Sequence, residues 1–272
     1  MAWSLIKSGK SNPYYNMALD ELLLNHYEIN KEPALRIYGW DPATISLGLN
    51  QDVEQTLYLE RCLDNAVPFV RRITGGSAIF HDDEITYSIV CSEDDIHNKG
   101  GIKESYKILC SFIINSYKKL GLNAYFSIDD PASASKRGKG TFCFSSWEEY
   151  DIVVNGKKIG GNAQKRKKKI ILQHGSVPLT LDFKKVLHYI KDVPKDVVER
   201  STSLHELTGR YVSFEEMEEI MTESFEETFS IPLQKKEISK KEEKIIQNIM
   251  DAKYNAKEWI FYRKIKEEIK YE

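Results

Sequence analysis

Apolar side chains at Tyr15, Ala18, Leu19, Leu22, Leu23 and Tyr27 recur at helical spacing. Ser11-Asn12-Pro13 stands just before them, with a capping side chain and a proline placed for a first turn. A helix is therefore predicted to start near residue 13. Two short runs follow, Ala34–Trp40 and 44–49, in which apolar and β-branched residues dominate. The Asp41-Pro42 turn between them predicts a hairpin. Residues 55–65 can form a helix. Residues 67–73 and 85–91 read as strands, and Thr74-Gly75-Gly76-Ser77 lies between them.

Tyr106, Leu109, Cys110, Ile113, Ile114 and Tyr117 share one side of a helix predicted over 102–120, with Gly121 as its stop. A strand is expected at 123–128. Residues 130–141 are rich in Ser, Ala, Gly and Lys and read as a loop. Strands are expected at 150–154 and 169–173, as pieces of one hairpin. After Leu181 the pattern changes to charged amphipathic helices at about 182–191, 214–228 and 239–251, and the aromatic residues of 259–271 can cap the fold. Strands interleaved with helices predict an α+β fold with a mixed, largely antiparallel sheet and packed helices. The expected division is a catalytic domain over 1–210 and a helical extension over 211–272.

Composition narrows the functional classes. The 39 Lys and Arg nearly balance the 41 Asp and Glu, for a net charge of −2, so a chain that coats nucleic acid is not expected. A local basic run, Lys165-Arg166-Lys167-Lys168-Lys169, is either a charged hairpin tip or a docking site for an acidic partner. The four cysteines, at 62, 91, 110 and 143, form no CxxC pair and no zinc spacing. Neither a disulfide scaffold nor a metal site is expected. No signal peptide and no membrane span is read, and the expected setting is cytoplasmic.

The candidate chemistry lies in two places. In Arg71-Arg72-Ile73-Thr74-Gly75-Gly76-Ser77, the glycines let backbone N–H groups approach a ligand, and the arginines can meet a phosphate or carboxylate. A plain Gly-Gly turn with solvated arginines fits the same spacing. The second place is 141–178. Cys62, Cys91 and Cys110 fall within helix or strand patterns and read as core, whereas Cys143 sits between a polar loop and a strand. A thiol with a pKa of about 8.5 is only a few per cent ionised at neutral pH and needs a nearby cation to act as a nucleophile. Lys158 follows the Asn155-Gly156 turn and is flanked by Gly160-Gly161. It either faces solvent or points back toward Cys143, where it would lower the thiol pKa or stabilise an oxyanion. His81 and His174 are possible proton carriers or hydrogen-bonded structural histidines.

RRITGGSAIFHD resembles the RRxxGGGAVFHD motif of lipoate–protein ligases, with Ser77 in place of a third glycine. NGKKIGGNAQKR followed by LQHGSVPL resembles that family's lysine-bearing hairpin and HHG-type strand, and ERSTSLHEL resembles a later segment. The likeness spans roughly residues 12–207. Its order of motifs is specific to the superfamily of biotin protein ligases, lipoate–protein ligases and octanoyltransferases. TFCFSSWEEYDIVVNGKK is similar to the octanoyltransferases of lipoate–ligase-like type. That resemblance implies a mixed sheet with an acyl tunnel over it, Cys143 as the acyl-thioester nucleophile and Lys158 as its activating cation. It implies an acyl site built from Arg71, Gly75, Gly76, Ser77, His81, Gly161, Ala163 and His174.

The expected reaction moves an octanoyl group from octanoyl-acyl carrier protein to the lysine of a lipoyl domain, that of glycine cleavage H protein or a 2-oxoacid dehydrogenase E2. No cofactor is expected, and the enzyme is expected to be a monomer. The alternative is an ATP- and magnesium-dependent lipoate–protein ligase in which Cys143 is incidental. A binding module without turnover is a third reading, and the presence of both Cys143 and Lys158 argues against it.

Overall fold

The computed structural model describes residues 2–130 and 149–271. Cys143 and the 131–141 part of the expected loop lie outside the described residues. In chain order the first elements are β1 (Trp3–Ser11), α1 (Pro13–Asn30), β2 (Ala34–Trp40), β3 (Thr44–Leu47), α2 (Val53–Thr56), α3 (Leu59–Asp64) and β4 (Phe69–Arg71). Then come β5 (Ile79–His81), β6 (Glu84–Ser92), α4 (Gly101–Lys119), β7 (Ala124–Phe126), β8 (Ile152–Val154), β9 (Lys157–Lys158), β10 (Gly161–Lys167) and β11 (Ile170–Pro178). The last elements are α5 (Phe183–Tyr189), α6 (Val197–Arg200), α7 (Leu204–Thr208), α8 (Phe214–Phe229), β12 (Leu233–Lys235), α9 (Lys240–Ile249) and α10 (Lys257–Tyr262), with a π-helical turn at Met250–Tyr254.

A six-stranded sheet in the order β10-β11-β6-β2-β1-β12 forms the centre. Its β10, β11, β6 and β2 run antiparallel, and β1 and β12 add in parallel. The fold is thus α+β with a mixed, largely antiparallel sheet, as expected. Alternation along β6 divides the core. Ile85, Tyr87, Ile89 and Cys91 face a cluster that includes Phe112, Ile113, Met217, Met221 and Phe225 of α4 and α8. Val90 faces the opposite cluster, built with Leu19, Leu22 and Leu23 of α1 and Ile246 and Ile249 of α9. Thr86 and Ser88, buried polar residues of β6, alternate with that first set. They occupy the α1 side, where the site is built.

α1 begins where its sequence says it should: the Asn12 side chain accepts from Tyr15 N at 2.8 Å, and Pro13 opens the first turn. Its mean amphipathicity is low because Asn16, Asp20 and Glu21 are buried along with its leucines. Beyond residue 210 the chain is more than a helical extension. Phe225 of α8 lies in the first core, 5.3 Å from both Trp3 and Phe112 by ring centroids, and β12 completes the sheet edge. Buried Glu21 holds the C-terminal segment: it accepts from Lys253 Nζ at 2.7 Å, Tyr254 Oη at 2.5 Å and Tyr271 Oη at 2.7 Å.

Three local expectations differ from the structure. β2 and β3 do not form a hairpin: β2 lies in the central sheet, and β3 pairs with β4 and β5 in a separate three-stranded sheet. Every residue of both strands is buried, so their continuous apolar pattern carries no information about partners. The helix expected over 55–65 is two short ones, α2 and α3. The single hairpin expected across 150–173 is two. β8 and β9 join β7 in a third sheet, whereas β10 pairs with β11. The chain changes sheet at Ile159-Gly160, where a Cβ on Gly160 would sit 2.1 Å from Ser176 O. Only glycine lets the backbone pass that close to β11.

Candidate active site

A narrow, mainly apolar cavity lies over the α1 side of the sheet. Tyr38 and Trp40 of β2, Thr86 of β6 and His174 and Ser176 of β11 form the sheet wall. These positions share a face because each pair is two residues apart on its strand. Ile79 and His81 come from β5 of the second sheet, Arg72, Gly76 and Ser77 from the connection between β4 and β5, and Gly161, Asn162 and Ala163 from β10.

The polar groups around this cavity are hydrogen-bonded to one another. Trp40 Nε1 donates to Thr86 Oγ1 at 2.8 Å, and Thr86 and Ser176 each donate to Glu84 at 2.5 Å. His81 places Nδ1 2.8 Å from Glu84 Oε1 and Nε2 2.6 Å from Ser46 Oγ. Its ring stacks on Trp40 with centroids 4.0 Å apart. His174 has a parallel arrangement, with Nε2 2.7 Å from Thr74 Oγ1 and Nδ1 3.7 Å from Asp20 Oδ2. Arg72 ties the two systems together, donating to Ser46 Oγ at 2.7 Å and to Thr74 Oγ1 at 3.3 Å. A hydrocarbon can therefore enter against Trp40, Tyr38, Ile79 and Ala163 without stripping partners from these groups.

Charge under the cavity is compensated. Burial by itself raises the Asp20 carboxyl, but Arg36 at 2.8 Å, with Ser88 and His174, outweighs it, and the net shift is downward. Burial pushes the His174 imidazole below its ordinary range, against the pull of Asp20. His174 is therefore a neutral ring at pH 7.

Lys158 does not face solvent. It is 2 % exposed, and its Nζ lies 2.6 Å from Oδ2 of Asp151, which is also buried. Asp151 lines a second depression, next to the cavity, together with Gly75, Ile102, Tyr106, Glu149 and Tyr150. The two depressions share Gly76, Asn162 and Ala163.

Of the residues expected from sequence, Gly76, Ser77, His81, Gly161, Ala163 and His174 line the cavity, and Gly75 lines the adjoining depression. Arg71 is a correction. Its guanidinium donates to the carbonyls of Gly48, Leu49 and Gln51 at 3.0, 2.9 and 2.6 Å, and to Ile260 O at 2.7 Å. Strand alternation turns Arg71 into the core and its neighbour Arg72 toward the cavity. Cys143 lies outside the described residues. Asp151, Asp20, Glu84 and Asn162 were not singled out from sequence. For Asp151 a signal existed: Val153 pairs with Lys158 across the turn, which puts residue 151 on the same face as the lysine. Three residues of the basic run have acidic neighbours. Arg166 pairs with Glu93, Lys167 with Glu28, and Lys169 with Asp94 at 3.7 Å.

Among the described residues no group of three His, Cys, Asp or Glu could hold a metal ion, and no helix is long and apolar enough to cross a membrane.

This architecture has close counterparts. The structure is similar to that of the T. acidophilum protein Ta0514 with bound lipoic acid, with TM-score 0.79 and 25% identity, covering 96% of this chain and 100% of that one. It is similar to a lipoate-protein ligase A bound with ATP, with TM-score 0.79 and 26% identity over 96% and 99% of the two chains. In sequence it is 36% identical to the octanoyltransferase LipM of Geobacillus kaustophilus (strain HTA426), covering 96% of this chain and 98% of that protein. It is 35% identical to the LipM of Bacillus subtilis (strain 168), over the same shares. Residues 12–226, which carry the cavity, Lys158 and Asp151, match the lipoyl protein ligase A/B catalytic domain, and the chain belongs to that family.

Proposed function

We propose that this enzyme transfers an octanoyl group from octanoyl-acyl carrier protein to the lysine of a lipoyl domain, in lipoate biosynthesis, through a thioester on Cys143. The observation that carries the reading is a buried lysine, Lys158, paired with Asp151, which lines the depression adjoining the cavity. Likeness along nearly the whole chain to octanoyltransferases supports the eight-carbon donor. Burying about seven methylene or methyl groups at about 0.8 kcal/mol each contributes roughly 5–6 kcal/mol.

In the first half-reaction the Cys143 thiolate attacks the donor's carbonyl carbon. The new C–S bond forms as the carrier's C–S bond breaks, and the carrier leaves as a thiolate. Lys158 supplies the cation that favours the ionised thiol. In the second, the acceptor's neutral lysine amine attacks the enzyme thioester. A C–N bond forms, the Cys143 thiolate departs, and the amine proton passes to solvent. A thioester is already activated, so neither step calls for ATP or a metal. The acceptor is the lipoyl domain of glycine cleavage H protein or of a 2-oxoacid dehydrogenase E2. The enzyme acts as a cytoplasmic monomer.

The test is an intact mass after incubation with octanoyl-acyl carrier protein in the absence of ATP. A hydroxylamine-labile octanoyl adduct that is missing in Cys143→Ala is expected. Modification of a lipoyl domain only with free octanoate, ATP and magnesium would instead establish a ligase.

A further inference from the structure

On the thioester reading the acyl chain lies in the cavity on the α1 face; around the edge strand β10 the cavity meets the depression lined by Asp151 and by Ile102 and Tyr106 of α4, and the acyl carbonyl is placed at that junction. Three residues line both spaces: Gly76, Asn162 and Ala163. Asn162 alone among them has a polar side chain. We infer that the Asn162 Nδ2 donates a hydrogen bond to the acyl carbonyl oxygen and stabilises the oxyanion formed when the thiolate attacks.

The direction of a hydrogen-bond chain supports this. Arg166 can only donate, and it donates to Gln164 Oε1 at 3.3 Å. Gln164 Nε2 then donates to Gln173 Oε1 at 2.7 Å, and Gln173 Nε2 to Tyr87 Oη at 3.0 Å. The Tyr87 hydroxyl spends its one proton on Asn162 Oδ1, at 2.6 Å. Arg166 orients the Gln164 amide, Gln164 orients the Gln173 amide, and the Tyr87 hydroxyl carries the chain to Asn162. Asn162 is thereby held with its oxygen toward Tyr87 and its NH₂ left for a ligand.

The position is also built sterically. Asn162 pairs with Gly175 across β10 and β11, and Gly175 pairs with Tyr87 across β11 and β6. A Cβ on Gly175 would lie 2.1 Å from Asn162 Oδ1 and 2.6 Å from the Tyr87 ring. The bare glycine makes the seat in which the amide and the phenol meet. Tyr87 is itself wedged against Phe112, ring centroids 5.0 Å apart. A donor fixed before the reaction costs no reorganisation when charge develops on the oxygen. Asn162 is thus a catalytic residue, and Tyr87 and Gln173 are positioning residues.

This role rests on the thioester reading, and the experiment separates the two. Acylation of the full-length enzyme by octanoyl-acyl carrier protein is followed in single turnover. Asn162→Ala and Asn162→Asp are expected to slow acyl-enzyme formation by about 10²–10³-fold, with the donor's KM within about threefold of wild type. Tyr87→Phe, which keeps the ring and releases the amide, is expected to slow it by about tenfold. Alkylation of the thiol by iodoacetamide is expected to stay at the wild-type rate, whereas Tyr87→Phe, which takes a buried partner from Gln173 and Asn162, is expected to lower the thermal midpoint modestly. Acylation of Asn162→Ala within twofold of wild type overturns the role of Asn162 alone. So does a loss matched by an equal loss in alkylation, which would make the residue structural. A wild-type enzyme that forms no adduct overturns the thioester reading and this role with it. Should Asn162→Ala fail to fold, Tyr87→Phe decides: an unchanged acylation rate there overturns the positioning chain.

Discussion

Lys158 Nζ lies 2.6 Å from Asp151 Oδ2, and both side chains are nearly sealed from solvent. A buried pair of this kind is asymmetric: removing one member takes a close counter-charge from the other, at about 3–5 kcal/mol, whereas replacing both with apolar groups is far milder. Asp151→Ala is expected to lower stability by about that amount, and Asp151→Ala/Lys158→Met to recover much of it. Acylation is expected to be lost in Lys158→Met and to remain lost in the double variant. Urea unfolding with single-turnover acylation checks both halves. A double variant that regains acylation would remove the activating role given to Lys158.

Adjacent arginines should separate stability from function. Arg71 holds four backbone carbonyls, including Ile260 O near the C-terminus. Arg71→Lys cannot reproduce that fork and is expected to cost about 3 kcal/mol, with near-normal kcat in the folded fraction. Arg72→Lys breaks the link between the Ser46 and Thr74 hydroxyls at the cavity. It is expected to lower kcat/KM about tenfold or more. Equal losses of stability in both variants would contradict this division.

Wall and mouth of the cavity should respond differently to bulk. Ile79 lines the cavity only, whereas Ala163 belongs to both depressions, and a Cβ on Gly76 would lie 4.0 Å from the Ala163 Cβ. Ile79→Phe is expected to favour hexanoyl over octanoyl donor by roughly tenfold, the value of about two methylenes. Ala163→Val is expected to slow both donors alike. Acyl-carrier donors of six and eight carbons, compared by kcat/KM, check this.

Acid should weaken the fold through His174. Its folded pKa lies below the ordinary 6.5 because it is buried, so below pH 6.5 the unfolded chain binds the proton that the folded chain refuses. The unfolded state then holds more protons, and stability falls as pH falls through that window, by at most about 1.4 kcal/mol per pH unit. Asp20, held below its ordinary 3.8, extends the loss at lower pH. Urea unfolding at pH 7.5, 6.5 and 5.5 is expected to show this decline, and His174→Asn to flatten it. An unchanged slope in His174→Asn would place the proton elsewhere.

The C-terminal clasp predicts a stability effect far from the cavity. Glu21 compensates Lys253, pulling the buried ammonium upward against the lowering effect of burial. Glu21→Gln is expected to cost about 3 kcal/mol, and Glu21→Gln/Lys253→Met less than that. Thermal midpoints of the two variants, compared with wild type, measure the coupling.

The sequence by itself determined the local elements and the motif positions. Asn12-Pro13 placed the start of α1, Gly121 stopped α4, and Ser77, His81, Ala163 and His174 all proved to line one cavity. These are short-range signals, written in caps, periods and motifs within a few residues. Which strands pair was decided by tertiary structure. β2 and β3 are buried on all sides and their patterns are alike, yet they entered different sheets. β1 and β12 escaped notice because their burial patterns alternate weakly. The site's polar groups were hidden for the same reason. Asp20, Glu84 and Tyr87 lie 154, 92 and 75 residues from the partners that give them meaning, His174, Ser176 and Asn162. Burial of a polar group has no fixed spacing along a chain. It is stable only once the fold brings its partner within hydrogen-bond reach.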